Sequence, residues 1–124
     1  MTYLDKYLEQ MDKDNKVGYL EEEWKELSEV DRIAVAVGKL IGQVYNGGYA
    51  QFKGNGYGFY LPCLIEKGEN ELDYTEFVGW LEDIEDAWQI EDYEQMDNLE
   101  EQFFQNMAEE LEERTIEFIK SEVE

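Results

Sequence analysis

Between Cys63 and Glu124 the chain carries 22 acidic side chains against 3 basic ones, a net charge of −19, while residues 1–62 carry 10 acids and 7 bases, a net of −3. Burying an unpaired carboxylate is costly, so a chain charged this one-sidedly must keep nearly every acid in water. The core of the C-terminal half is therefore built from what lies between the acids. Those positions recur at steps of three and four: Phe77, Trp80, Leu81, Ile84 and Trp88, then Met96, Leu99, Phe103, Met107, Leu111, Ile116 or Thr115, and Ile119 or Phe118. That is the period of an amphipathic helix, and no alternating strand pattern competes with it. A hydrophobic fraction of 43% supplies enough apolar surface for a core despite the charge.

The N-terminal half reads the same way. Tyr3, Leu4, Tyr7, Leu8 and Met11 form one helical face, and "DKDNKVG" interrupts it. A short helical face follows over Tyr19 to Leu27, with Leu20, Trp24 and Leu27 inward. Ser28 followed three residues later by Asp31 is the signature of an N-cap. The helix it opens places Val30, Ile33, Val37, Leu40, Ile41 and Val44 on one stripe, which makes it the expected central helix, ending near Tyr45. Ala34, Gly38 and Gly42 leave room on that helix for a neighbour to approach. Each glycine costs roughly 1 kcal/mol of helix propensity against alanine, so a packing reason is expected for both. Residues 60–65 are apolar around Pro62, "EKGENELD" reads as a loop, a helix spans Leu72 to Trp88, and a long acidic helix runs from about Tyr93 to the end. The expectation is an all-α fold in one domain over residues 1–124, with a central apolar helix and a long acidic C-terminal helix.

The segment "VYNGGYAQFKGNGYGFYL", Val44 to Leu61, interrupts this pattern with five glycines among six aromatics. No lysine followed by serine or threonine closes it, so it is not a P-loop, and no strand precedes "GNGYGF" as a dinucleotide fingerprint requires. It reads as a structural joint: Asn46 caps a new helix, Gly47 and Gly48 permit the change of direction, Tyr49 and Phe52 turn inward, and Gln51 and Asn55 satisfy backbone groups nearby.

Other chemistry is sparse. "DKDNKVGYLEEE" imitates a calcium loop, but Lys16 stands at its fifth position and Val17 at its sixth, where an oxygen ligand and a glycine are needed. An ordinary polar turn is expected there. The chain has no histidine, which removes the commonest general base and zinc ligand. Cys63 is expected in the core. No catalytic residue, metal or cofactor is expected, and the chain is not read as an enzyme. The N-terminal sequence lacks the features of a signal peptide, no apolar run reaches membrane-spanning length, and one cysteine suits a reducing compartment, so a cytoplasmic location is expected.

The acids themselves remain. Helical side chains three or four apart have Cβ atoms roughly 5–6 Å apart, comparable with the phosphate spacing of DNA, so rows of Glu and Asp on a rigid helix can imitate a phosphate backbone. Such a surface repels nucleic acid and anionic membranes and attracts basic grooves.

"GQVYNGGYAQFKGN", Gly42 to Asn55, resembles the Asn-Gly-Gly-aromatic-x-Gln-aromatic-x-x-Asn signature of the family containing the neisserial DNA-mimic protein. The matching residues are Asn46, Gly47, Gly48, Tyr49, Gln51, Phe52 and Asn55. "LEEQFF" at Leu99 to Phe104 and "IEFIKS" at Ile116 to Ser121 are similar to its C-terminal helix. The resemblance implies an α-helical domain, often dimeric, and, for the family's characterised member, a role as a DNA mimic that binds a transcription regulator.

Local charge and resemblance together lead to one expected function: an acidic decoy that occupies the DNA groove of a basic protein, whether repressor, nucleoid protein, restriction enzyme or CRISPR effector. A phage-encoded anti-CRISPR or anti-restriction inhibitor fits that description. The expected contacts are Glu82, Asp83, Glu85, Asp86, Asp92, Glu94, Asp97, Glu100, Glu101, Glu109, Glu110 and Glu113, with Trp88 and Tyr93 as aromatic anchors. The alternative is an immunity-type protein that covers the active site of a basic nuclease toxin.

Overall fold

Side-chain caps set where three of the helices begin. In a computed structural model describing residues 2–16 and 18–124, Thr2 and Asp5 form a reciprocal capping box that opens α1 (Tyr3–Lys13). Val17, at the sixth position of the calcium-like loop, lies outside the described residues. A short α2 (Glu21–Lys25) carries the buried Trp24. Ser28 accepts the Asp31 amide at 3.2 Å and opens α3 (Glu29–Gly54). Asp31 is itself buried and accepts the Tyr7 hydroxyl at 2.6 Å, which ties α1 to the start of α3.

A short 3-10 turn (Tyr57–Tyr60) leads into α4 (Leu61–Asn70), followed by α5 (Thr75–Gln89), α6 (Tyr93–Gln102), a π turn (Phe103–Met107) and α7 (Ala108–Val123). No strand occurs among the described residues; the fold is all-α. The α3 helix is central, packing against α1, α4, α6, α7 and the 3-10 turn. One core cluster runs from Leu4 to Ile119, and Ile33, Leu40, Tyr49, Phe52, Phe77, Leu81, Phe103 and Leu111 are among its fully buried members.

Several boundaries differ from the sequence reading, each for a physical reason. The α3 helix does not end at Tyr45 but continues past Asn46 and changes direction at Gly48, whose φ of 82° and ψ of 179° are essentially confined to glycine. Asn46 lies within the helix and is not its cap. "EKGENELD" is not a loop up to Asn70, because Pro62 fits the first turn of α4 and Gly68 is buried against Phe77 and Val78 of α5. The α5 helix starts at Thr75, three residues later than the spacing implied. Gly38 has the expected packing role, since a Cβ there would meet Leu8 Cδ1 at 2.5 Å, but Gly42 faces open space.

The long C-terminal helix is broken into α6 and α7 by the π turn. Leu99, Phe103, Met107, Leu111, Thr115 and Ile119 are all buried and all four apart. A regular helix turns about 100° per residue, so each such step overshoots a full turn by about 40° and would walk the apolar side chains off the core. A π turn holds an extra residue and takes up part of that drift. Thr115 is tolerated inside because its hydroxyl donates to the Leu111 carbonyl at 2.7 Å.

Gly48→Ala should lower stability by about 1–3 kcal/mol, from backbone strain alone, and a Cβ there would also collide with the Glu100 carboxylate. Gly42→Ala should raise stability by about 0.5–1 kcal/mol, since nothing opposes the gain in helix propensity. Urea denaturation of both variants measures the contrast.

Candidate partner-binding surface

Tyr49, the residue after the Gly48 break, is the hinge pin of the acidic surface. Its amide opens the second half of α3 and would ordinarily need a local cap. The cap comes instead from α6: Glu100 Oε1 accepts the Tyr49 N–H at 2.6 Å. The buried Tyr49 ring carries its hydroxyl to Glu85 Oε1 of α5 at 2.7 Å. Lys53 Nζ lies 2.9 Å from the same oxygen and Gln89 Nε2 is 3.0 Å from the other. Burial pushes the Glu85 carboxyl up, but hydrogen bonds from Lys53, Tyr49 and Gln89 outweigh it and hold it below its ordinary value. Burial also pushes the Glu100 carboxyl up; the Tyr49 amide opposes this and Asp97 adds to it.

The Gly-rich signature is thus a joint, as its composition implied, with different partners. Gln51 Nε2 and Asn55 Nδ2 do not reach backbone groups; both donate to the Gln43 Oε1, at 3.0 and 2.8 Å, and so staple α3 across its own bend. Phe52 is fully buried and stacks beside Tyr49.

Of the expected contact residues, Glu85 and Glu100 are half-buried and committed to Tyr49, and Glu110 pairs with Arg114 at 2.9 Å. The remaining nine are exposed. On α5, Glu82, Asp83 and Asp86 lie on the side opposite Phe77, Leu81 and Ile84. On α6, Asp92 serves as N-cap by accepting the Gln95 amide at 3.1 Å, and Glu94, Asp97 and Glu101 follow. On α7, Glu109 and Glu113 continue to the exposed Glu117 at steps of four. Glu113 and Glu117, with Glu110, border an open groove of about 500 Å³ whose other wall includes Glu71 and Asp73.

Cations do not neutralise the α5 and α6 rows. Lys67 is taken by Glu29, Glu66 and Glu71. Arg114 donates to Glu110 and to the Leu72 and Asp73 carbonyls and covers the Tyr74 ring, while Lys120 lies over Tyr3. Among the described residues no Lys or Arg pairs with Glu82, Asp83, Asp86, Asp92, Glu94, Asp97 or Glu101. The α5 and α6 helices pack directly together, joined through Glu91 in the left-handed conformation (φ 58°), so both rows belong to one structural unit.

Sequence reading missed Lys53, the Tyr49 hydroxyl and two exposed aromatics, Tyr45 and Phe104. For Phe104 a signal existed, since two consecutive phenylalanines on one helix cannot both face the same core. Of the expected anchors, Tyr93 is exposed and Trp88 is half-buried. Cys63 packs against the core, and burial pushes its thiol up to about 11, partly countered by Arg32 and Lys67. In the calcium-like loop, Asp12 accepts the Tyr19 hydroxyl and Asp14 the Gln10 amide. Among the described residues no three His, Cys, Asp or Glu side chains converge as a metal site would need, and no helix is long and apolar enough to cross a membrane.

Fold and surface define an all-α domain that presents ordered, unneutralised carboxylates on packed helices. A sequence model of the DMP19-like protein family matches residues 25–122, from the end of α2 almost to the end of α7, and the chain belongs to that family. This is the DNA-mimic family to which the Asn-Gly-Gly signature pointed. Comparison with curated proteins and with solved structures finds no match.

Glu100→Ala should cost about 1–2 kcal/mol by orphaning the Tyr49 amide, whereas Glu100→Gln, whose carbonyl still accepts, should stay near wild type in chemical denaturation. Lys53→Met tests the Glu85 linkage. A carboxyl held low in the folded state stabilises above its ordinary pKa, and that contribution is lost as pH falls through the lowered value. The Lys53→Met deficit should therefore be largest near neutrality and begin to close once pH falls below the ordinary glutamate value of about 4.3. At neutral pH it should be roughly 1–2 kcal/mol, limited by solvent because the Lys53 and Glu85 side chains remain 18% and 24% exposed.

Proposed function

We propose that this protein is a DNA mimic that binds the basic DNA groove of another protein and excludes DNA from it. The supporting observation is the set of exposed carboxylates on α5 and α6 that no cation of the described chain neutralises. A solvated surface of an ordinary protein intersperses both signs. Here the few basic residues of the C-terminal half are spent on packing the fold, and the acids of α5 and α6 are left to a partner. Counter-charge from Lys and Arg that otherwise hold phosphates would meet them, and the bound acids would occupy the space of the duplex.

The contact set is proposed as Glu82, Asp83, Asp86, Asp92, Glu94, Asp97 and Glu101, continued by Glu109 and Glu113. Glu85, Glu100 and Glu110 position these rows through their contacts within the fold, Glu100 with only one of its two oxygens. Partners of the right chemistry are proteins with a basic DNA groove, among them repressors, nucleoid proteins, restriction enzymes and CRISPR effectors. Membership of the DMP19-like family supports the mimic class of function.

The test is capture of the partner followed by competition. A bound DNA-binding protein should be released by generic duplex DNA, and its affinity should fall at least about tenfold between 50 and 200 mM salt. Reversing Glu82, Asp83 and Asp86 together to lysine should weaken binding by about a hundredfold or more while leaving the melting temperature equal or higher, because self-repulsion is reduced. A partner held equally well at both salt concentrations and untouched by DNA would overturn the proposal. A captured nuclease toxin that generic DNA fails to displace would instead support the immunity-type reading.

A further inference from the structure

An acidic domain gains nothing in solubility from bare aromatic rings, yet three flank the groove between the α3 bend and α6. Tyr45 is 58% exposed, Tyr93 61% and Phe104 40%. The groove they line has a volume of about 340 Å³ and buried Met96 at its floor. Tyr45 and Phe104 lean on one another with ring centroids 4.7 Å apart. Along α6 and into the π turn that follows it, the lining residues Tyr93, Asp97, Glu100 and Phe104 follow steps of four, three and four, which is one helical face. Two carboxylates with a ring on either side of them therefore lie along a single wall about 16 Å long.

Carboxylates set between π faces suit one cation better than the other. A lysine ammonium is a compact, strongly hydrated point charge, whereas a guanidinium is flat, more weakly hydrated, stacks on aromatic rings and bonds a carboxylate with two parallel N–H groups. Glu100 has one oxygen turned to the Tyr49 amide, and its second oxygen has no hydrogen-bond partner among the described residues. Burial pushes the Glu100 carboxyl up and Asp97 adds to this, an environment that a cation would relieve.

We propose that the groove between Tyr45, Tyr93 and Phe104 is an arginine seat, in which a guanidinium of the basic partner stacks on the rings and bonds Asp97 and Glu100. This deepens the DNA-mimic reading and rests on it for the identity of the partner. It makes the surface a discriminator among basic partners, with the acid rows of α5 and α6 supplying charge and the groove selecting arginine.

The test uses the full chain with hexaarginine and hexalysine peptides, which carry equal charge, titrated at about 50 mM salt by calorimetry and by amide NMR shifts. Hexaarginine should bind about fivefold more tightly, with its largest shifts at Gly47, Gly48, Ala50 and Phe104. A Tyr45→Leu, Phe104→Leu variant should lose that advantage while keeping its hexalysine affinity, and Tyr93→Leu should lose part of it. All three residues are exposed, and an unchanged melting temperature checks that the fold is kept. Equal affinity for the two peptides, or an arginine preference that survives the double substitution, would overturn the seat. The outcomes separate it from the DNA-mimic reading: lost DNA competition with the preference intact removes the mimicry, and the converse removes only the seat.

Discussion

The structure depends on Tyr49. Its backbone amide is held by Glu100 of α6 and its hydroxyl by Glu85 of α5, so one residue just past a glycine-only bend connects the central helix to both acidic helices. Without the Gly48 break, Tyr49 would continue the helix and its amide would bond within α3. With the break, the amide is an orphan donor, and a carboxylate from a distant helix is recruited to it. Two acids of a chain crowded with acids are thereby fixed in space, and the helices carrying them are fixed too.

This joint explains how a chain with a net charge of −22 keeps a compact form. Self-repulsion acts on the whole surface, but cations are used where they secure geometry: Lys53 beside Glu85, Lys67 among Glu29, Glu66 and Glu71, Arg114 on the carbonyls between α4 and α5. Buried aromatics supply the rest. Trp80 stacks on Phe103 at 4.6 Å and donates its indole N–H to the Leu99 carbonyl at 2.7 Å, pinning α5 to α6 where the π turn begins. The two helices that bear the exposed acids are thus joined by apolar packing that salt does not screen, while the surface they present is the part that salt does screen.

That division suits a protein whose partner is recognised by charge. Rows of carboxylates on mobile segments would lose ordering entropy on binding, whereas rows on packed helices are organised beforehand. The aromatic groove beside the joint adds a feature that charge alone lacks, because rings distinguish a guanidinium from an ammonium.

What the sequence determined by itself is what periodicity and charge can encode. The all-α class, the central helix opened by Ser28, the inward faces of α5 and of the C-terminal helices, and the family signature from Asn46 to Asn55 were legible because each is carried by residues near one another in the chain. Only the tertiary structure decided which acids are surface and which are joints. Glu85 and Glu100 look in sequence like their neighbours Asp86 and Glu101, and nothing local marks them; Tyr49 lies 36 and 51 residues away. The bend at Gly48 rather than a cap at Asn46, the bonding of Gln51 and Asn55 to Gln43, and the helix over residues 61–70 have the same origin. Each depends on a neighbour brought close by folding, and a hydrogen bond across space leaves no period in the sequence.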